Sequence, residues 1–213
     1  MTPFVYVCFG VVGLLLILAF VWRFASRRYS LPCPTWLGWL VELNNPFVES
    51  DALTIVRHLD LQPGMKVLDL GCGPGRLTLP IAQQIGPQGE VTAVDIQAGM
   101  LRRVQDRAHA AHLNNIRFLQ AGAGEGKLGH SQYDRALLVT VLGEIPDRDT
   151  ALQEIYDALK PGGLLSVTEI IVDPHFQSRD TVLRLATAIG FCEKAFFGHR
   201  FAFTLNLEKP ESG

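Results

Sequence analysis

The pattern of apolar and polar positions changes character along the chain. From Pro3 to Trp22 there is no charged residue. At about 1.5 Å of rise per residue, a run of that kind forms a helix of roughly 30 Å, the thickness of a bilayer core. Arg23, Arg27 and Arg28 follow at once, and the first acidic residue is Glu42. A cleaved leader carries its positive charge before the apolar run, whereas here the charge comes after it. The pattern predicts an uncleaved transmembrane anchor with a basic collar over residues 1–28. It also predicts a single-pass membrane protein with its main domain in the cytoplasm, because basic flanks stay on that side. Residues 29–45 read as a connector, since Pro32 and Pro34 break any helix there. Trp36 and Trp39 either lie in the membrane interface or cover part of the domain core.

From residue 46 to 213 the pattern alternates between the periods of helix and strand. Asn45-Pro46 opens a helix expected to reach about Asp60. Lys66 to Leu70 is a short apolar strand, followed by a helix from Gly75 to about Ile85. Glu90 to Asp95 is a second strand, with a helix from Gln97 to about His112. Ile116 to Gln120 and Tyr133 to Thr140 are the third and fourth strands. Asp147 caps a helix to Leu159, which Lys160-Pro-Gly-Gly163 ends. Leu164 to Val172 is a fifth strand, and Ser178 caps a helix ending at Gly190. Phe191–Phe197 and Phe201–Leu207 flank Gly198-His-Arg200 as a hairpin. Alternation of strand and helix implies a mostly parallel sheet covered on both faces, and the hairpin adds one antiparallel strand.

Composition narrows the possibilities. The chain has 213 residues, with 19 Lys and Arg against 21 Asp and Glu, for a formal net charge of -2. One α/β domain fits this length. The charge balance gives no basic surface for nucleic acid, so none is expected as a partner. The cysteines, at 8, 33, 72 and 192, do not have the spacing of metal ligands, and no metal site is expected.

The chemistry is concentrated in Val67-Leu-Asp-Leu-Gly-Cys-Gly-Pro-Gly75. Gly71, Gly73 and Gly75 leave the first strand and open the first helix, so a ligand can approach the backbone closely. A dinucleotide site has a Gly-x-Gly-x-x-Gly spacing, but position 76 is Arg. Asp69 would repel a pyrophosphate and suits a ligand with a cationic ammonium group. Asp95 ends the second strand, placed to accept from ribose hydroxyls.

With these residues, the Tyr133-Asp134 strand start, the Leu159-Lys-Pro-Gly-Gly163 turn and the closing hairpin, the sequence from about Asn45 to Lys209 resembles the class I S-adenosylmethionine-dependent methyltransferases. Its closest flavour is the ubiquinone/menaquinone-biosynthesis group. The resemblance implies a Rossmann-like, seven-stranded, mostly parallel sheet with a C-terminal antiparallel hairpin, and S-adenosylmethionine as cofactor. It implies that Asp69, Gly71, Cys72, Gly73 and Gly75 hold the methionine part and that Asp95 holds the ribose. Ile96 and Met100 would flank the adenine, and Thr140 and Val141 would face the methyl group. The family often has an Asp after the third strand; here that position is Gly122, and backbone near Ala123, or Glu125, stands in.

The acceptor side is expected beyond the fourth and fifth strands. Glu144 and His175 are the candidate catalytic groups there, Glu144 as the base. The apolar N-terminus and the aromatic residues near the mouth suggest the lipid bilayer as a partner. A lipid headgroup amine or a quinone-like ring is the expected methyl acceptor. Three other readings stay open: a detoxifying methyltransferase of small thiols or phenols, a non-catalytic cofactor-binding partner in a membrane complex, and a dinucleotide oxidoreductase.

Overall fold

Seven strands form one sheet in the order β3-β2-β1-β4-β5-β7-β6. The structure, a computed structural model, describes residues 51–211 and, ahead of them, eight scattered positions between Tyr6 and Phe24. The strands are β1 (Lys66–Leu70), β2 (Glu90–Asp95), β3 (Ile116–Gln120), β4 (Tyr133–Val139), β5 (Leu159–Ile170), β6 (Cys192–His199) and β7 (Ala202–Glu208). The helices are α1 (Ala52–His58), α2 (Thr78–Ile85), α3 (Ala98–Ala110), α4 (Arg148–Ala158) and α5 (Arg179–Ile189). A short 3₁₀ turn, Leu142–Glu144, follows β4. Strands β1 to β5 pair in parallel, and β7 runs antiparallel between β5 and β6.

Side chains alternate between the two faces of the sheet. Val67 and Leu137 pack with Ile55, Val56, Ile81 and Ile85 of α1 and α2. Leu68, Leu138, Leu165 and Leu205 pack on the other face with Leu152 and Ile155 of α4 and Val182 of α5. Both faces of the central strands are therefore covered, as expected for near-continuous apolar strands.

Helix ends follow their caps. Asp147 accepts from the Thr150 N–H at 3.1 Å and Ser178 from the Thr181 N–H at 3.2 Å, opening α4 and α5. Helix α1 starts later than expected, because Asp51 caps it by accepting from the Thr54 N–H. Residues 45–50 lie outside the described residues. Strand β5 begins at Leu159, ahead of the Lys160–Gly163 turn, and ends at Ile170 rather than Val172. Leu159 pairs with Tyr133 and the ladder resumes at Leu164 against Arg135, so the Pro-Gly-Gly stretch bulges out of register instead of preceding the strand.

The expected single-pass membrane location is corrected. Among the described residues no helix is long and apolar enough to cross a membrane. The longest of α1 to α5 is α3, with 13 residues, whereas spanning takes about 20. The expected anchor over residues 1–28, apart from the eight scattered positions, and the connector over 29–45 lie outside the described residues.

Candidate active site

Strand order reverses between β1 and β4, and a cavity of about 360 Å³ opens there beyond the strand ends. Open α/β sheets bind ligands at such a reversal. The turn after β1 forms one wall. Gly71 has φ 73°, and a Cβ there would overlap the Val141 side chain at the end of β4. The Gly71 and Cys72 N–H groups both donate to the Val94 carbonyl, at 2.8 and 3.0 Å. Gly75 serves packing instead. A Cβ there would press on Leu79 at 2.9 Å and Val104 at 3.0 Å, so glycine lets α2 and α3 approach.

Two carboxylates close this wall. Asp69 is 4% exposed and accepts from the Thr78 hydroxyl. Burial pushes its pKa up to about 6, against the opposing pull of that hydrogen bond. Asp95 accepts from the Gly73 N–H at 3.0 Å and the Gln97 N–H at 2.8 Å, which ties the glycine turn to the start of α3. A carboxylate offers about four acceptor positions, so two remain for a ligand. Burial raises the Asp95 pKa as well.

The opposite wall is the segment after β4. Thr140 has φ 56° although it is β-branched, a conformation that costs about 1–3 kcal/mol and is usually held by its surroundings. Its N–H donates to the Thr168 carbonyl at 2.9 Å. The Arg148 guanidinium then fixes the 3₁₀ turn by donating to the Leu142 and Gly143 carbonyls, both at 3.0 Å. Glu144 lines the cavity beside Val141, Ile145 and Pro146. Burial, with the nearby charges of Asp173 and Asp95, pushes its pKa up to about 8.

Of the residues singled out from sequence, Asp69, Gly71, Cys72, Gly73, Asp95, Ile96, Met100, Ala123, Thr140 and Glu144 all line this cavity. Gly75 lies behind it. His175 is not among the lining residues: it is 5% exposed, and its backbone carbonyl lies where a Cβ on Gly143 would go. Three residues were missed or undervalued. Arg76 lines the cavity, its charge facing Asp69 and Asp51. A Cβ on Gly122 would come within 2.8 Å of the Glu125 Oε1, so this carboxylate fills the space beside Gly122. Glu169 is 1% exposed in β5; the signal for it was an acidic residue between Val167 and the Ile170-Ile171-Val172 run.

The fold is shared with known structures. A methyltransferase from Aquifex aeolicus described as S-adenosylmethionine-dependent superposes with a TM-score of 0.76 at 17% identity, over 84% of this chain and all of that one. Haemonchus contortus phosphoethanolamine N-methyltransferase 2, solved with phosphomonomethylethanolamine and S-adenosylhomocysteine, gives a TM-score of 0.63 at 17% identity, over 75% of this chain and 52% of that one. Residues 67–163 match the family model described as a methyltransferase domain. That stretch of the chain is similar to a methyltransferase domain.

Its curated relatives include the demethylmenaquinone methyltransferase of Geobacillus stearothermophilus, 29% identical over 110 residues, which is 52% of this chain and 47% of that protein. The ubiquinone/menaquinone biosynthesis C-methyltransferase of Vibrio campbellii is 36% identical over 117 residues, 53% and 45% of the two chains. The matched stretch thus spans about half the length of these relatives.

The cofactor of the methyltransferase domain is S-adenosylmethionine, and the cavity suits it. Open glycine backbone gives close approach, the buried carboxyl of Asp69 suits an ammonium group, and Asp95 keeps acceptor positions for hydroxyls. A pyrophosphate in the same place would meet Asp69, which disfavours the dinucleotide reading.

These buried acids set a pH dependence. Asp69, Glu144 and Glu169 have pKa values pushed from 3.8 to about 6, and from 4.5 to about 8 for each glutamate. The folded chain therefore holds protons that the unfolded chain has released, and stability falls as pH rises through that window. Without cofactor, the thermal midpoint is expected to be higher at pH 5 than at pH 8.5. A midpoint that is flat or rises over this range, measured by scanning fluorimetry, contradicts the assignment.

Proposed function

We infer that this chain transfers a methyl group from S-adenosylmethionine to a lipophilic acceptor, with a hydroquinone-like ring favoured, and that Glu144 takes up the acceptor proton. The reading is carried by Glu144 itself, a half-buried carboxyl of raised proton affinity set among Val141, Ile145 and Pro146 at the cavity wall. An aromatic hydroxyl meets apolar surface for its ring and a basic oxygen for its proton. When bound, the cofactor supplies a methyl group already made electrophilic by the sulfonium. The chain then has to align the acceptor and exclude water. Asp69 would neutralise the amino acid ammonium and Asp95 would hold the ribose. Cys72 and Gly73 would offer backbone, and Ile96 and Met100 would flank the adenine beside Ala123 and Glu125. Thr140 and Val141 would shape the floor beneath the methyl group.

Removing a phenolic proton raises electron density on the ring, so the carbon beside the hydroxyl attacks more readily. The names of the quinone-pathway relatives support this choice. A second acceptor class, an amine, is favoured by the negative charge of Asp173 near Glu144. His175, buried away from the cavity, is given no part in the transfer.

The test uses methyl-labelled cofactor with two acceptors, a short-tailed demethylated naphthohydroquinone and a short-chain phosphatidylethanolamine. Label on a ring carbon of the first is the expected result. Label only on the amine favours the second class, and label on neither rejects both.

A further inference from the structure

Glu169 lies outside the cavity lining, and it is a buried carboxyl for which the transfer chemistry has no use. Its backbone is fixed in the β5–β7 ladder opposite Phe203. Its Oε2 accepts from the Gln177 N–H at 3.0 Å, and its Oε1 has no hydrogen-bond partner among the described residues. Gln177 in turn donates through Nε2 to the His175 carbonyl at 2.7 Å. The His175 N–H donates to Asp173 at 2.6 Å, closing the loop on itself. That carbonyl packs directly on Gly143, where no side chain fits, and the next residue is Glu144. Arg148 holds the same turn by donating to the Leu142 and Gly143 carbonyls.

We propose that Glu169 is a positioning residue: through Gln177 and the His175 carbonyl it fixes the turn that carries Glu144, and so sets where that carboxyl meets the methyl acceptor. The proposal rests on the reading of Glu144 given above. A continuous set of contacts runs from a rigid strand to the working side chain. Each link is a hydrogen bond or a backbone contact that a longer side chain at 143 would break. Burial keeps Glu169 protonated near neutrality, with its pKa up to about 8, so glutamine mimics the form present. A placement error of the order of 1 Å at a reacting group costs up to about 100-fold in rate. The contact between His175 and Gly143 passes such errors on because it has no slack.

The experiment uses the full 213-residue chain and the variants Glu169→Ala, Glu169→Gln and Gln177→Ala. Three quantities are read: amide hydrogen exchange over residues 141–145 and 173–177, S-adenosylhomocysteine affinity by calorimetry, and kcat on the demethylated naphthohydroquinone. Glu169→Ala is expected to speed exchange in both segments by about tenfold or more, as local opening without global unfolding. It should lower kcat by about tenfold or more while changing S-adenosylhomocysteine affinity less than about twofold. Glu169→Gln should restore both, and Gln177→Ala should open 141–145 with Glu169 intact. Faster exchange confined to 173–177, or a glutamine variant as impaired as the alanine one, overturns the proposal. If Glu169→Ala does not fold, Gln177→Ala decides. A parent chain inert toward the hydroquinone counts against the acceptor reading alone, and the exchange pattern still judges Glu169.

Discussion

Replacing Glu144 with glutamine is expected to slow methyl transfer by about 100-fold or more, the usual contribution of a placed general base. The affinity for S-adenosylhomocysteine should stay within about threefold of the parent, because the loss falls on a proton acceptor and not on cofactor contacts. The side chain keeps its shape, so the 3₁₀ turn and its Arg148 hydrogen bonds stay in place. The pH profile supplies the stronger check. Only the ionised carboxyl accepts a proton, and with a pKa near 8 about a tenth is ionised at pH 7. The parent rate should therefore climb as pH rises toward 8, and the variant should lose that climb. A bound cation close by lowers the pKa of a carboxyl, so the rise should sit at lower pH in kcat than in kcat/KM for the cofactor, which reports the enzyme without it. A glutamine variant with an unchanged rate and an unchanged profile removes Glu144 from the mechanism.

The second large effect is expected at Asp95. Asp95→Ala removes the acceptor of two backbone N–H groups and the proposed anchor for the ribose. Each hydrogen bond of this kind is worth about 1–3 kcal/mol when its partner is left unsatisfied. Cofactor affinity should fall by about 100-fold, each factor of ten being about 1.4 kcal/mol. Asp95→Asn should do almost as badly, since its amide nitrogen must face either the Gly73 or the Gln97 N–H, donor against donor. Titration calorimetry with S-adenosylhomocysteine measures both. Parent-like affinity in the asparagine variant would show that the carboxylate does not hold the glycine turn to α3.

The glycine-and-carboxylate wall of the cavity was legible because its determinants are local. Gly71 to Gly75 leave one strand, Asp95 ends the next, and strand endings can be read from a few residues. Helix starts at Asp147 and Ser178 were legible for the same reason: each side chain caps an N–H three residues on. The acceptor half depends on contacts between distant segments. His175 reads as a titratable side chain in a loop, but its backbone packs against Gly143, 32 positions earlier, and its ring is buried. Glu169 shows its part only once Gln177 is folded over it. The Lys160–Gly163 turn reads as a stop, whereas pairing of Leu159 with Tyr133 carries the strand assignment through it. The apolar run at the start of the chain is plain in composition, but most of it lies outside the described residues.

The division of labour between strand ends and their following turns has a consequence for how such a domain changes its target. The carboxylates and glycines of the cavity come from β1, β2 and the turn after β1, whereas Glu144 comes from 141–147 after β4, a stretch that packs on 171–178 after β5 through the Gly143–His175 contact. Exchanging those two stretches together, with the Gly143–His175 contact preserved as a matched pair, would graft a new selectivity onto an untouched cofactor cradle. Exchanging either alone would leave a mismatched joint. New specificities on this scaffold should therefore arise by paired replacement.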